Sequence, residues 1–123
     1  MRIRKRPKAG STESLTNCLE KTFQAQLITL SEYDDAGEVF GRPDQVELDV
    51  IIQDGVLILC EIKSSISKPD MIIFERKTVF YEKRHGRKAT RKLVISPMVD
   101  ERARAVATKL GIEVHSDAGD VIT

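Results

Sequence analysis

The sequence has too few cysteines for a disulfide-based fold and no hydrophobic run long enough to cross a membrane. Its 2 cysteines cannot form the several bridges of a disulfide-rich domain or a four-ligand zinc site. No apolar stretch approaches the roughly 20 residues that a membrane-spanning helix needs. The basic first residues are not followed by the apolar segment of a secretory signal, and we therefore expect a cytoplasmic protein.

A marked excess of either charge is missing as well. The formal net charge is +1 at pH 7, so the overall charge gives no indication of nucleic-acid binding. Basic residues nevertheless cluster in residues 1–8 and 76–92, where they either contact a phosphate backbone or form a disordered tail and a solvated helix face. With 41% hydrophobic and 32% charged residues among 123, the composition predicts one folded domain at residues 11–123 after a flexible basic tail at residues 1–10.

Hydrophobic periodicity and turn signals predict an α/β fold. The clearest feature is a β-hairpin, because two strand-like runs are joined by Asp54-Gly55, a strong turn signal. A first helix, capped at residue 11 or 12, precedes three strands, and the order then continues helix, strand, helix, strand. After the first helix the elements are expected near residues 26–33, 46–52, 56–63, 67–85, 93–96, 101–110 and 112–115. This order predicts a mixed sheet with helices on both faces.

The hairpin carries acidic residues, and its turn decides whether they meet. Side chains alternate along a strand, so Glu47 and Asp49 share one face, and Glu61 and Lys63 share a face of the next strand. A two-residue turn would pair Asp49 with Cys60 and put Glu61 on the opposite face. A three-residue turn would pair Glu47 with Glu61, so that all four side chains project together. We expect the three-residue turn, because the other register scatters ionised groups over both faces of a buried sheet and leaves no single-face site.

The four projecting side chains predict a site for Mg²⁺ or Mn²⁺. Both ions take oxygen ligands, and Mg²⁺ commonly uses one or two carboxylates with waters and a substrate phosphate. Such an ion polarises a phosphoryl oxygen and lowers the pKa of bound water, as phosphodiester hydrolysis requires. Lys63 would orient that water or stabilise charge on phosphorus. The alternative interpretation is a salt-bridged strand end that reaches solvent.

The hairpin also resembles the active-site motif of the PD-(D/E)XK nuclease superfamily, an acid on one strand followed by Glu-x-Lys on the next. The matching segments are residues 47–49, the turn at 54–55 and residues 60–64. Residues 13–115 are similar to a mainly archaeal branch of that superfamily. The resemblance implies a restriction-endonuclease-like fold and a metal-dependent endonuclease that acts on DNA, including junctions or flaps. RNA is an alternative substrate, and a homodimer is the implied assembly.

The resemblance further implies roles for individual residues. Asp49 and Glu61 would bind the metal ion together with the backbone carbonyl of Ile62, and Lys63 would be the catalytic lysine. Asp44 follows Pro43, but this pair precedes the strand, and we assign it to a turn. The auxiliary positions are Glu47, Glu13, Arg76, Lys77 and Tyr81. The positions expected to contact nucleic acid are Arg42, Ser64, Arg84, Arg87 and Lys88.

Arg76 is an auxiliary candidate for a reason of its own. It falls between Ile72, Val79 and Phe80, in the middle of what the sequence predicts as the apolar face of a helix. A buried arginine needs an anionic partner, and a hairpin acid or a substrate phosphate would supply one.

Two classes of function fit these patterns. One is the metal-dependent nuclease, and the other is a non-catalytic nucleic-acid-binding or assembly module that retains the nuclease fold. The presence of Asp49, Glu61 and Lys63 favours the nuclease, because a module without activity has no need of all three.

Overall fold

The computed structural model describes residues 2–5, 27–53 and 55–116. The elements in these segments are β1 (Arg2–Lys5), β2 (Leu27–Asp34), β3 (Asp44–Gln53), β4 (Val56–Ile62), α1 (Lys68–His85), β5 (Arg91–Ile95), α2 (Glu101–Leu110) and β6 (Glu113–His115). From β2 onward this is the predicted order of strands and helices. The first predicted helix and Glu13 lie outside the described residues.

The six strands form one mixed sheet in chain order, from β1 to β6. The pairs β1–β2, β2–β3 and β3–β4 are antiparallel, whereas the pairs β4–β5 and β5–β6 are parallel. The parallel pairs need crossover connections, which α1 and α2 supply. The mixed α/β fold class predicted from the sequence is confirmed.

The flexible tail expected over residues 1–10 is a wrong prediction for Arg2–Lys5. These four residues pair antiparallel with β2, from Arg2 opposite Ser31 to Lys5 opposite Ile28. The edge of β2 offers unpaired backbone N–H and C=O groups, and an added strand satisfies them.

Both described helices begin and end at the predicted residues. Ser67 and Asp70 form a capping box at the start of α1, and Gly86 ends that helix with a φ of 61°. Asp100 caps α2, and Gly111 ends it with a φ of 72°. The stop of α1 fixes the position at which the chain returns to the sheet.

Apolar side chains cover both faces of the sheet. One cluster joins strand residues such as Leu48 to α1 through Met71 and Phe74 and to α2 through Ala103 and Ala107. The second cluster, on the opposite face, contains Leu27, Ile51, Ile58, Cys60, Ile62, Leu93 and Ile95. Among the described residues, both helices therefore pack on one side of the sheet, which is called the helix face below. No described helix has the length and apolarity of a membrane span.

The hairpin adopts the two-residue register, so the predicted three-residue turn is wrong. Gln53 pairs with Val56, and Asp49 pairs with Cys60. Because both faces of the strands are buried, the apolar pattern tolerates a shift by one residue and does not select the register. The observed connection is the two-residue turn that Asp-Gly favours, and Gly55 adopts a φ of 81° in it.

Candidate active site

Asp49 and Glu61 lie on opposite faces of the sheet, and the prediction of a single-face site is wrong. Asp49 shares its face with Ile51 and Cys60, whereas Glu61 shares the helix face with Leu59. The expected cost of separating the acids is avoided, because each has its own partner in the protein.

The partner of Asp49 comes from β2. Thr29 lies opposite Asp49 in the sheet, and its hydroxyl donates a hydrogen bond of 3.0 Å to Oδ1 of Asp49. Asp49 is only 7% exposed. A buried polar group needs such a donor, so Thr29 satisfies one oxygen of the Asp49 carboxylate within the sheet.

The partner of Glu61 comes from α1. Nζ of Lys77 lies 3.6 Å from Oε1 of Glu61, and the two side chains are 13% and 20% exposed. At this burial the attraction between the charges is much stronger than at an exposed surface. Lys77 therefore neutralises Glu61 on the helix face.

The two acids nevertheless border the same cleft. The pairs between β3 and β4 run from the turn to Asp49–Cys60 and stop there within the described strands. Beyond this last pair a cleft of about 170 Å³ opens, lined by Glu47, Leu48, Asp49, Glu61, Ile62 and Lys77. The open end of the hairpin thus brings together carboxylates that alternation places on different faces.

Lys63 is held beside the start of α1. Its Nζ donates a hydrogen bond of 3.4 Å to Oδ1 of Asp70, while Oδ2 of Asp70 accepts from the backbone N–H and the hydroxyl of Ser67. Burial raises the pKa of Asp70, but the hydrogen bonds from Ser67 and the charge of Lys63 outweigh it and hold that pKa below the usual value. The capping box of α1 therefore also binds the lysine of the motif.

The residues of the cleft suit a divalent cation in chemical type. Within residues 27–53 and 55–116, no three acidic, cysteine or histidine side chains converge closely enough to hold a metal ion. Mg²⁺ commonly takes one or two carboxylates together with waters, so Asp49, Glu61 and the carbonyl of Ile62 are donors of the type that would hold it. Binding would require Glu61 to exchange Lys77 for the cation.

Two of the auxiliary candidates line the cleft, and a third lies on α1 near it. Glu47 and Lys77 line the cleft, and Tyr81 lies one turn along α1 from Lys77. Burial raises the pKa of Tyr81, opposed by the charge of Arg87 and reinforced by that of Glu32.

The prediction of a buried Arg76 is wrong. Arg76 is exposed and donates a 3.3 Å hydrogen bond to the carbonyl of Val39. The buried side of α1 runs through Phe74, Thr78 and Tyr81, and Val79 is 50% exposed, so Arg76 points away from the core.

Sequence reasoning missed a buried acid beside this helix. Glu32, on β2, is 9% exposed, and its Oε1 lies 2.7 Å from Nε2 of His85, whose ring stacks on Tyr81. Its other oxygen, Oε2, lies 3.7 Å from Arg84, outside hydrogen-bonding distance. The available signal was an acidic residue within an otherwise apolar strand.

The residues expected to contact nucleic acid do not form one group around the cleft. Ser64 directly follows Lys63 and is exposed. Arg87 donates a hydrogen bond to the carbonyl of Gly55, at the turn of the hairpin. Glu61 lies six residue steps from Gly55, and at about 3.3 Å for each step along a strand the distance is roughly 20 Å.

The other three basic residues have different surroundings. Arg42 forms an exposed ion pair of 3.2 Å with Asp44, and Arg84 donates a hydrogen bond to the carbonyl of Tyr33. Lys88 is exposed near the end of α1. The basic surface therefore lies mainly at the end of α1 rather than at the cleft.

The mixed sheet with a cleft at the open end of its central hairpin is a restriction-endonuclease-like fold. A sequence profile of the PD-(D/E)XK nuclease superfamily matches residues 44–113, more than half of the chain. The chain therefore belongs to the PD-(D/E)XK nuclease superfamily, as the resemblance of its motif indicated.

Two solved structures share the fold. They are EndoMS in its apo form, with a TM-score of 0.54 and 15% identity, and a repair endonuclease from Pyrococcus abyssi, with a TM-score of 0.52 and 14% identity. Each match covers 89% of this chain but only 47% or 48% of the other chain, so this chain spans about half the length of these structures. No curated protein matches the chain.

Proposed function

We propose that this protein is a metal-dependent nuclease that hydrolyses phosphodiester bonds in DNA. The observation that supports the proposal best is the cleft at the open end of the hairpin. It brings Asp49, Glu61 and the Ile62 segment together in a chain that belongs to a nuclease superfamily. The phosphate of a substrate would enter at this cleft.

In this proposal Asp49, Glu61 and the carbonyl of Ile62 hold Mg²⁺ or Mn²⁺. The bound ion would supply Lewis acidity and an activated water. Thr29 keeps the Asp49 carboxylate in place through its hydrogen bond. Lys63 would leave Asp70 and orient the attacking water or stabilise charge on the reacting phosphate. Glu47 would add negative charge at the cleft.

We propose DNA, including junctions or flaps, as the substrate and a homodimer as the active form. The described residues form one such cleft, and cutting both strands of a duplex requires a second, which a two-fold dimer would supply. The two similar structures are described as EndoMS and as a repair endonuclease, which is consistent with a DNA substrate. Arg42, Ser64, Arg84, Arg87 and Lys88 are the proposed contacts to the phosphate backbone. We place this activity inside the cell.

The test of this function is a cleavage assay with matched variants. Supercoiled, single-stranded and four-way-junction DNA are incubated with the parent protein and Mg²⁺ or Mn²⁺, and Asp49→Asn and Glu61→Gln serve as charge-removing variants. The proposal expects cleavage by the parent only. Cleavage that persists in both variants would show a contaminating nuclease or another site.

One observation favours a second candidate, the non-catalytic DNA-binding or assembly module. Asp49 and Glu61 lie on opposite faces, and both the glutamate and the motif lysine are engaged by other residues, Lys77 and Asp70. Such a module would bind junction DNA with an affinity that Asp49→Asn leaves unchanged, and it would cut no substrate with either metal ion.

A further inference from the structure

Lys77 lies between two acidic residues, the partly buried Glu61 and the buried Glu32, and it forms an ion pair with Glu61 alone. On one side it forms the 3.6 Å ion pair with Glu61 in the cleft. On the other side it lines a small cavity of about 10 Å³ together with Glu32, Tyr81 and the apolar side chains Leu30 and Leu48. Lys77 therefore borders both the cleft and the cavity that contains Glu32.

The carboxylate of Glu32 is incompletely paired. Within the described part of the chain, its Oε2 is buried and accepts no hydrogen bond, since Arg84 lies 3.7 Å away, although Oε1 contacts His85. A buried acceptor without a donor costs free energy, and the cavity has about the volume that a single water requires. The oxygen can therefore accept one further hydrogen bond, from a water in this cavity or from a side chain that reaches it in another state of the protein.

We propose that Lys77 is a movable counter-ion shared by Glu61 and Glu32. In the metal-free protein its ammonium group neutralises Glu61. When a divalent cation binds at the cleft, the ammonium group transfers to Oε2 of Glu32. The flexible four-carbon stem of a lysine and its three rotatable donors suit such a transfer, and no other side chain has to leave its partner.

This exchange depends on the proposed function in one respect, because the cation that displaces Lys77 is the one assigned to Glu61. The exchange accounts for the ion pair of the partly buried Glu61 in the metal-free protein and for the oxygen of Glu32 that accepts no hydrogen bond. Two positive charges beside Glu61 would repel each other, and the transfer separates them.

The first experiment needs no metal ion. A double-mutant cycle between Glu32→Gln and Lys77→Gln is measured by urea unfolding, once in the parent and once in a Glu61→Gln background. Neutralising Glu61 should release Lys77 to Glu32, so the coupling should grow by roughly tenfold in the unfolding equilibrium constant. An equal coupling in both backgrounds would overturn the proposal.

A pair on the same helix provides the matched control. Glu75 of α1 forms a 2.9 Å ion pair with Lys92, with side-chain exposures of 23% and 20%, similar to those of Glu61 and Lys77. The cycle between Glu75→Gln and Lys92→Gln should give the same coupling in both backgrounds. A change of the same size there would show a general effect of Glu61→Gln on stability and would overturn the transfer.

The second experiment measures Mn²⁺ affinity by calorimetry, without a nucleic-acid substrate. Lys77→Gln should bind Mn²⁺ roughly tenfold more tightly, because no ammonium group competes for Glu61. Glu32→Gln should bind more weakly than the parent, and Lys77→Gln combined with Glu32→Gln should match Lys77→Gln alone. An unchanged affinity in Glu32→Gln would overturn the proposal. If the parent binds no Mn²⁺, the metal-dependent function is refuted, and the metal-free cycle still decides whether Lys77 moves.

Discussion

Two variants of Asp49 can test the negative charge proposed for metal binding separately from the hydrogen bond between Asp49 and Thr29. Asp49→Asn keeps an oxygen that can accept from Thr29 and removes the negative charge, whereas Asp49→Ala removes both. We expect Asp49→Asn to abolish divalent-cation binding and DNA cleavage while leaving the fold intact. Asp49→Ala should abolish the same two activities and also destabilise the protein.

The size of the stability loss follows from the surroundings of Asp49. A hydrogen bond to a charged group contributes about 1.5–3 kcal/mol, and the variant leaves the Thr29 hydroxyl without this acceptor in a buried site. We therefore expect Asp49→Ala to lower the free energy of unfolding by about 2 kcal/mol, and Asp49→Asn by less than about 1 kcal/mol.

Urea unfolding, Mn²⁺ calorimetry and plasmid cleavage on the same samples test this expectation. Thr29→Val is the comparison variant, because it removes the hydroxyl donor but keeps the carboxylate, so stability should fall and cleavage should weaken without being abolished. If Asp49→Asn binds metal and cuts DNA as well as the parent, the acids of the hairpin are structural and the nuclease proposal is wrong.

Three further predictions concern the lysine of the motif, the assembly and the loop before β3. Lys63→Ala should retain Mn²⁺ binding but cut DNA more slowly, since Lys63 contacts Asp70 rather than the metal donors; loss of binding by calorimetry would contradict this. Light scattering at micromolar concentration should give a dimer, and a monomer both with and without DNA would contradict that assembly. Gly37→Ala should lower thermal stability by roughly 1 kcal/mol more than Gly41→Ala. Both glycines have positive φ. A Cβ at Gly37 would lie 2.9 Å from the backbone nitrogen of Arg42, whereas a Cβ at Gly41 would meet no described non-neighbouring atom within 4 Å.

One pH-dependent contribution to stability also follows from the structure, from a pair remote from the cleft. Arg91 donates two hydrogen bonds to Glu113, and these lower the pKa of Glu113 against the opposing effect of burial. A lowered carboxylate pKa stabilises the fold above the unfolded value near 4.5, and this contribution is lost as the pH falls through the folded value. The stability difference between the parent and Arg91→Gln should therefore be largest at neutral pH and shrink below about pH 4. A difference that stays constant from pH 7 to pH 3 in urea unfolding would contradict the assignment.

Local signals were sufficient to predict most of the described elements. Gly86 and Gly111 end helices because they adopt the left-handed conformation that closes a helix. Asp100 and the pair of Ser67 and Asp70 satisfy the first backbone N–H groups of their helices. These interactions span only a few residues, so a single sequence displays them.

The register of the hairpin was not predictable from local signals. Both faces of β3 and β4 are buried, so apolar residues occur at consecutive positions and either register buries them. The cost of placing Asp49 and Glu61 on opposite faces favoured the three-residue turn. That cost is offset by Thr29, which is 20 positions before Asp49, and by Lys77 on a later helix. Partners that the fold brings together over such separations leave no local pattern.

The separation of the acids also changes how the affinity of the cleft for a cation is determined. Carboxylates crowded on one face would repel one another, and a cation would be bound mainly to relieve that repulsion. In this fold Asp49 and Glu61 approach from different faces, and Glu61 is already neutralised by Lys77. A cation must therefore compete with an ammonium group that the protein supplies. In the proposed exchange, the affinity of the cleft for a cation would depend on how well the rest of the protein accommodates the displaced Lys77, and residues outside the cleft, such as Glu32, would contribute to it.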